Sequence, residues 1–263
     1  MSRAIPAFML ALLAGLSTGI GGGISLAAGR DSRGFLGVSL GFSAGVMIYV
    51  SLVEILLKAQ EALSAELGAQ PGGWATAAGL FGGMTFIALV ERFIPSTPDA
   101  RLLKRAQCDD ARPAELMRMG AFTALAIALH NFPEGLATFV SALNEPGLGI
   151  PIVAAIAIHN IPEGIAVAAP VYQATGSRAK AFWLALASGL AEPVGAMLGW
   201  LVLMPVMNDA VFGVVFAGVA GIMVFISFDE LLPAACEYGG HRRALGGLIL
   251  GMAVMAVSLV LFM

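Results

Sequence analysis

Apolar residues occur along this chain in long runs that are separated by short polar segments. Each run is close to or above the ~20 apolar residues that a helix needs to cross a hydrocarbon core of ~30 Å. The pattern therefore predicts eight transmembrane helices. They are expected at about 5–28, 35–57, 72–94, 120–143, 148–172, 180–206, 211–234 and 244–263. The one sizeable polar segment, 95–118, is predicted to be a loop between the third and fourth helices.

The composition is that of a protein embedded in a lipid bilayer. Hydrophobic residues make up 59% of the 263 residues and charged residues only 12%, whereas soluble domains carry about 25% charged residues. We therefore expect an all-α integral membrane protein with a single domain over 1–263. The net charge of −3 gives no indication of a nucleic-acid partner. Cys108 and Cys236 form no CxxC motif, so no disulfide framework is predicted.

The distribution of lysine and arginine predicts the orientation of the chain. If the N-terminus lies outside, twelve of the fourteen basic residues fall on the inner side and only Arg3 and Lys58 on the outer side. Basic residues concentrate on the cytoplasmic side of membrane proteins. Both termini are therefore expected outside the cytoplasm and the 95–118 loop inside it. Cleavage of 5–28 as a signal peptide would spoil this alternation, so we interpret 5–28 as the first spanning helix.

A short phrase of polar residues occurs twice inside the apolar runs. His130-Asn131-Phe132-Pro133-Glu134-Gly135 is followed 29 residues later by His159-Asn160-Ile161-Pro162-Glu163-Gly164. Residues three and four apart share one face of a helix, so each phrase predicts a His, an Asn and a Glu side chain on one face. Such side chains are costly in a membrane unless they meet a partner, a cavity or an ion.

The chemistry of this polar set suits divalent cations. Imidazole favours zinc, and carboxylate and amide oxygens favour harder ions. Pro133 and Pro162 also lack the backbone donor that would bond to the carbonyls of Leu129 and Ile158. Irregular backbone at membrane depth is tolerated where it lines a cavity. The alternative is two kinked helices that merely pack through polar contacts, but such contacts contribute only about 0.6 kcal/mol on average.

Further acidic residues belong to a second internal similarity. Residues 44–47 and 51–56 resemble 220–223 and 227–232 at a constant spacing of 176, which pairs Glu54 with Glu230. The two copies run in opposite directions through the membrane, as expected for an inverted repeat of three helices, a central pair and three helices. Glu54 and Glu230, with the adjacent Asp229, are candidate pathway acids or ordinary interfacial carboxylates. Glu192, next to Pro193, is a further deep acid in the sixth helix.

The repeated phrase resembles the ZIP family of divalent metal transporters, and the similarity covers essentially the whole chain. Gly189-Leu190-Ala191-Glu192 and the segment from Ser227 to Pro233 also stand at family-like positions. The resemblance implies eight transmembrane helices in a 3+2+3 inverted arrangement, a homodimer and a place in the cytoplasmic membrane. It further implies uptake of Zn²⁺ and often of Fe²⁺, Mn²⁺, Co²⁺ or Cd²⁺, with no cofactor beyond the transported metals.

The resemblance also implies a site for two metal ions bridged by the two central glutamates. One metal position would be formed by His130, Glu134, His159 and Glu163. The other would be formed by Asn131, Glu134, Asn160, Glu163 and Glu192. The chain departs from many family members in its 95–118 loop, which contains no histidine.

Two other functions use the same residues. A binuclear metal site can activate water in an intramembrane hydrolase, although the sequence lacks the HExxH motif. A His and Glu set can also relay protons in a carrier of an organic solute. An inverted repeat suits alternating access better than a one-sided active site, which favours the metal transporter.

Overall fold

The computed structural model of the chain describes residues 4–28, 33–93, 113–144, 149–203 and 208–262. These residues are helical almost throughout and contain no strand, as the sequence predicts. The helices are α1 (Ala4–Ala28), α2 (Arg33–Val50), α3 (Leu56–Leu67), α4 (Ala69–Phe93), α5 (Pro113–Asn144), α6 (Gly149–Thr175), α7 (Arg178–Gly189), α8 (Ala191–Leu198), α9 (Asp209–Ile226), α10 (Leu232–Gly239) and α11 (His241–Phe262).

Short π-helical turns join some of these helices into longer rods. Ser51–Ile55 connects α2 to α3, and Ser227–Leu231 connects α9 to α10. A third π turn, Gly199–Leu203, extends the rod formed by α7 and α8. The described residues thus form eight rods, in agreement with the eight predicted helices.

Local sequence signals set the ends of several rods. The Asn208 side chain accepts a hydrogen bond from the Val211 backbone N–H at 2.8 Å, and Ser177 caps α7 in the same way through Lys180. Both are residues that satisfy the exposed donors of a first helical turn. The break between α3 and α4 falls at Gly68, whose φ of 88° is a conformation that glycine adopts readily.

The rods differ from the predicted helices mainly in length. The second rod continues beyond the predicted end at residue 57 and ends at Leu67. The polar segment after Lys58 is rich in residues with high helix propensity, so the helix extends through it. The fourth begins at Pro113, so part of the predicted 95–118 loop is helical. The rest of that loop, with Cys108, lies outside the described residues. Both α5 and α6 continue as α-helix through Pro133 and Pro162, so the expected irregular backbone is absent from these described segments.

Close helix packing divides the rods into groups. One group contains α1, α5, α6, α7 and α8, in which α1 lies along α6 and α5 along α8. Outside this group, α2 lies along α11 and α4 along α9. Glycines allow the outer pairs to approach closely, because a Cβ at Gly45 would meet the Leu248 backbone and one at Gly221 would meet the Leu80 backbone. Every functional candidate on α5, α6 and α8 therefore belongs to a single packed group.

The surface of the rods is apolar, as a bilayer requires. Within the described residues six helical stretches are long and apolar enough to cross a membrane. They are Ala4–Ala27, Gly37–Leu67, Ala69–Val90, Arg178–Val202, Asp209–Glu237 and His241–Leu261. The remaining two rods, α5 and α6, carry the repeated polar phrases. Large apolar side chains such as Leu261 and Ile249 are exposed, and Trp183 and Trp200 are exposed near the two ends of one rod.

Candidate metal site

The repeated phrases occupy corresponding places on α5 and α6, which pack against each other. Asn131 and Glu134 on α5 are buried, and so are Asn160 and Glu163 on α6. These residues are three apart in each helix, which puts amide and carboxylate on the same face. His130 and His159 lie one residue before each Asn, but their side chains lie outside the part of the chain that the structure describes.

The two asparagines make matching contacts with neighbouring helices. The Asn131 side-chain amide donates to the Ser188 carbonyl oxygen on α7 at 3.4 Å. The Asn160 amide donates to the Ala14 carbonyl oxygen on α1 at 3.1 Å. Asn160 also donates to Oε1 of Glu192. The amide nitrogens therefore hold helices together, and the sequence had assigned to these residues only a role as metal ligands.

The glycines that end the two phrases bring backbones into contact. A Cβ at Gly135 would collide with the Glu192 backbone oxygen on α8, and a Cβ at Gly164 would collide with the Thr18 backbone oxygen on α1. Small residues permit such close crossings of helices in membranes. The crossings keep the Glu of each phrase next to a neighbouring helix, with no side chain between the two backbones.

Glu192 lies in the first turn of α8, directly after the helix break at Leu190. It is fully buried, and the charges of Glu134 and Glu163 are near enough to act on it. Among the described residues these three glutamates are the buried charged side chains, and no lysine or arginine is buried with them. Burying like charges in an apolar surrounding is unfavourable unless positive charge compensates them. The group is thus suited to a cation.

Several buried oxygens of this group have no hydrogen-bond partner among the described residues. They are Oδ1 of Asn131, Oδ1 of Asn160 and Oε2 of Glu192. Amide and carboxylate oxygens of this kind are ligands for divalent metals. Within the described ranges no three His, Cys, Asp or Glu side chains are close enough to hold an ion by themselves. The glutamates are neighbours without forming a closed coordination shell, and the two histidine side chains are not among the described groups.

Comparison with known proteins decides the family. The model of the ZIP zinc transporter family matches residues 95–259, which is more than half of the chain. The chain belongs to the ZIP family. Proteins named zinc transporter ZupT are similar over nearly the full length. Those of Streptococcus mutans and Lysinibacillus sphaericus are each 57% identical, with 97% of both chains covered. That of Clostridium perfringens is 50% identical over 100% of this chain and 98% of its own.

Membership of the ZIP family removes one of the alternatives raised by the sequence. The relatives are metal transporters, so this protein is a multi-pass membrane transporter and not an enzyme. The intramembrane hydrolase is therefore excluded.

The candidate pathway acids lie apart from the buried group. Glu54 is partly buried in the π turn after α2 and forms an ion pair with Lys58, with Oε1 at 3.1 Å from Nζ. Asp229 is exposed and Glu230 partly exposed in the equivalent π turn after α9. An i,i+4 ion pair on a partly exposed helix face contributes little to stability, about 0.3–0.5 kcal/mol. The structure thus leaves these acids accessible but does not bring them into the buried group.

Thr18 on α1 is a residue of this ZIP protein that the sequence reasoning missed. It is fully buried, and its backbone oxygen is the one that Gly164 contacts. A signal was present in the sequence. Residues 14–21, AGLSTGIG, resemble residues 188–195, SGLAEPVG, at a spacing of 174. In this alignment Thr18 corresponds to Glu192.

Proposed function

We propose that this protein takes up zinc, and a broader set of divalent cations, across the cytoplasmic membrane. The observation that carries the proposal is the group of three buried carboxyl side chains, Glu134, Glu163 and Glu192, with no buried lysine or arginine among the described residues. Such a group favours a small dication over an organic solute, because two positive charges in a small volume compensate crowded carboxylates well. The zinc transporters to which the chain is similar support the choice of cation.

The ion is held, in this proposal, at two neighbouring positions that share Glu134 and Glu163. The first position combines these carboxylates with the imidazoles of His130 and His159, a ligand set that suits zinc. The second combines them with Asn131, Asn160 and Glu192, an oxygen-rich set that suits iron or manganese. The amide oxygens of both asparagines and Oε2 of Glu192 support this assignment, since none has a hydrogen-bond partner among the described residues.

Transport is proposed to use alternating access in an inverted repeat of three helices, a central pair and three helices. Matching contacts support the repeat. The packing of α2 on α11 through Gly45 corresponds to that of α9 on α4 through Gly221, at the spacing of 176 found in the sequence. The π turns at Ser51–Ile55 and Ser227–Leu231 are also 176 residues apart. Glu54 and Glu230 would then be corresponding acids at the outer and inner ends of the pathway, with Asp229 beside the inner one.

The surroundings of the transporter follow from the charge distribution and the resemblance. We propose a homodimer of single-domain subunits in the inner membrane, with both termini outside the cytoplasm and the 95–118 segment inside. Cys236, 4.0 Å from the exposed His241 ring, would then be cytoplasmic. A membrane-impermeant maleimide applied to intact cells should leave a Cys108→Ser protein unlabelled at Cys236. Labelling before the cells are opened would contradict the orientation.

Zinc uptake by purified protein in liposomes tests the function directly. We expect radioactive zinc to accumulate in proteoliposomes and not in protein-free liposomes. Unlabelled manganese, iron and cadmium should each compete with zinc if the range of metals is broad. A protein that is folded and reconstituted but moves no zinc would contradict the proposal, and uptake of an organic solute in its place would favour the proton-coupled carrier.

A further inference from the structure

We propose that the Thr18 hydroxyl contacts the transported metal ion as a neutral oxygen, in the position where the other half of the molecule supplies the Glu192 carboxylate. The inference deepens the proposed function and rests on it. Thr18 lies in α1, outside the repeated phrases and outside the ligand set described above.

The first step is the correspondence between α1 and the segment around the α7–α8 break. Residues 14–21 and 188–195 both begin with a small residue followed by Gly and Leu. In each segment a glycine also stands three residues after the polar residue, which is Thr18 in the first segment and Glu192 in the second. This alignment pairs Ala14 with Ser188, Thr18 with Glu192 and Gly21 with Gly195. The spacing of 174 is close to the 176 of the second internal similarity, so both belong to the same repeat.

The second step is that the aligned residues make the same contacts. Asn160 donates to the Ala14 carbonyl as Asn131 donates to the Ser188 carbonyl. Gly164 lies against the Thr18 backbone as Gly135 lies against the Glu192 backbone. A Cβ at Gly21 would meet the Ile161 backbone, and one at Gly195 would meet the Phe132 backbone. Three independent contacts thus put Thr18 beside α6 in the way that Glu192 lies beside α5.

The third step concerns the hydroxyl itself. Threonines in helices commonly donate to the carbonyl four residues earlier. Thr76 does so with Gly72 at 2.8 Å, and Thr138 with Glu134 at 2.9 Å. For Thr18 that carbonyl belongs to Ala14, which accepts the Asn160 amide. The buried Thr18 hydroxyl has no hydrogen-bond partner among the described residues. Leaving such a group unpaired is costly, so the hydroxyl is suited to a ligand.

The consequence is an asymmetric ion site within a symmetric frame. The half that contains α8 supplies a carboxylate, and the half that contains α1 supplies an uncharged oxygen. A fourth carboxylate would raise the affinity for a dication and slow its release, because affinity rises with the number of charged ligands. A hydroxyl keeps one oxygen contact without that additional charge.

Two pairs of variants test the hydroxyl. Thr18→Ser keeps it and Thr18→Ala removes it, while both lack the threonine methyl group. Thr76→Ser and Thr76→Ala are the matched controls, because the Thr76 hydroxyl is buried and bonded within α4. Zinc uptake into proteoliposomes would be measured as a function of zinc concentration, with manganese as competitor. If Thr18→Ala does not fold, Thr18→Val replaces it.

We expect the zinc concentration for half-maximal uptake to be about threefold to tenfold higher in Thr18→Ala than in Thr18→Ser, the loss that one neutral oxygen contact produces. The competition by manganese should change in the same comparison, and the Thr76 pair should show no difference. Equal values for Thr18→Ser and Thr18→Ala would overturn the assignment, as would an equal shift in the Thr76 pair. Lack of zinc uptake by the wild-type protein would instead contradict the transport function itself.

Discussion

Glu163 is a fully buried carboxylate that is proposed to contact both metal positions. Replacing it by glutamine keeps its size but removes a charge that compensates the ion. We expect Glu163→Gln, and likewise Glu134→Gln, to lower zinc uptake by about tenfold or more, the range found when groups that bind or orient a metal are changed. Initial rates of zinc uptake in proteoliposomes with equal amounts of protein would measure the loss.

Glu66→Gln is the matched control, because Glu66 is exposed on α3. Its uptake should equal that of the wild type. Unchanged uptake by a well-folded Glu163→Gln protein would eliminate Glu163 as a ligand, and with it the proposed bridge between two metal positions.

His130 and His159 are proposed to serve the zinc-favouring position only. The double variant His130→Ala/His159→Ala should therefore lose more zinc uptake than manganese uptake, since the oxygen-rich position is preserved. Parallel uptake measurements with each metal would give the ratio of the two losses. An equal loss for both metals would mean that the two positions are not chemically distinct.

At the scale of single residues, the sequence predicted which residues are polar and buried, but not which partner each atom contacts. The spacing of Asn131 and Asn160 predicted their shared face with Glu134 and Glu163, because that spacing depends only on the period of a helix. The bonds from their amides to Ser188 and Ala14 span 57 and 146 residues of chain. Helix period carries no information about such partners. Thr18 has a signal in the similarity of residues 14–21 to 188–195, but helix period does not reveal that similarity.

At the scale of helices, the crossings at Gly135 and Gly164 determine how α5 and α6 lie against α8 and α1. An added methyl group would collide with a backbone oxygen that belongs to another helix. Overpacking of this kind costs typically 1–3 kcal/mol, so Gly135→Ala and Gly164→Ala should each lower the melting temperature in detergent. Fluorescence-detected size-exclusion after heating would follow the loss of folded protein.

The control is Gly23→Ala on α1, where a Cβ meets nothing within 4 Å. This change should leave the stability equal or slightly higher, because alanine is the better helix former by up to about 1 kcal/mol. If the Gly164→Ala protein were as stable as the Gly23→Ala protein, the backbones of α1 and α6 would not cross as closely as described.

The existence of the rods could be predicted from apolar runs, whereas their crossings and irregular turns could not. The apolar run that predicted the second helix ended at residue 57, where polar residues become frequent, although the helix itself continues to Leu67. The π turn at Ser51–Ile55 has no marker in the apolar pattern, because the same apolar run is equally compatible with an unbroken α-helix. Glycine was visible in the sequence as a packing residue, but its contacts depend on the three-dimensional arrangement.

For the whole molecule, transport should depend on pH. Zinc binds to neutral imidazole and ionised carboxylate, so protons compete with it at the proposed site. We expect the zinc concentration for half-maximal uptake to rise as the external pH falls below about 6, where imidazole becomes protonated. Uptake curves from proteoliposomes at several external pH values would measure the shift. A constant value across this range would contradict the His and Glu ligand set.

The distance between the exposed Trp183 and Trp200 along their rod can be compared with the thickness of the hydrocarbon core of a bilayer. Seventeen residues separate them along one rod, which corresponds to about 25 Å of helix at ~1.5 Å per residue. Tryptophan is enriched where hydrocarbon meets headgroups, and an average hydrocarbon core is about 30 Å thick. The spacing of these two tryptophans alone would thus suit a bilayer somewhat thinner than average. In lipids with long acyl chains the rods must tilt or the bilayer must become thinner around them. The acyl-chain length of the surrounding lipid therefore affects how the helices pack against one another.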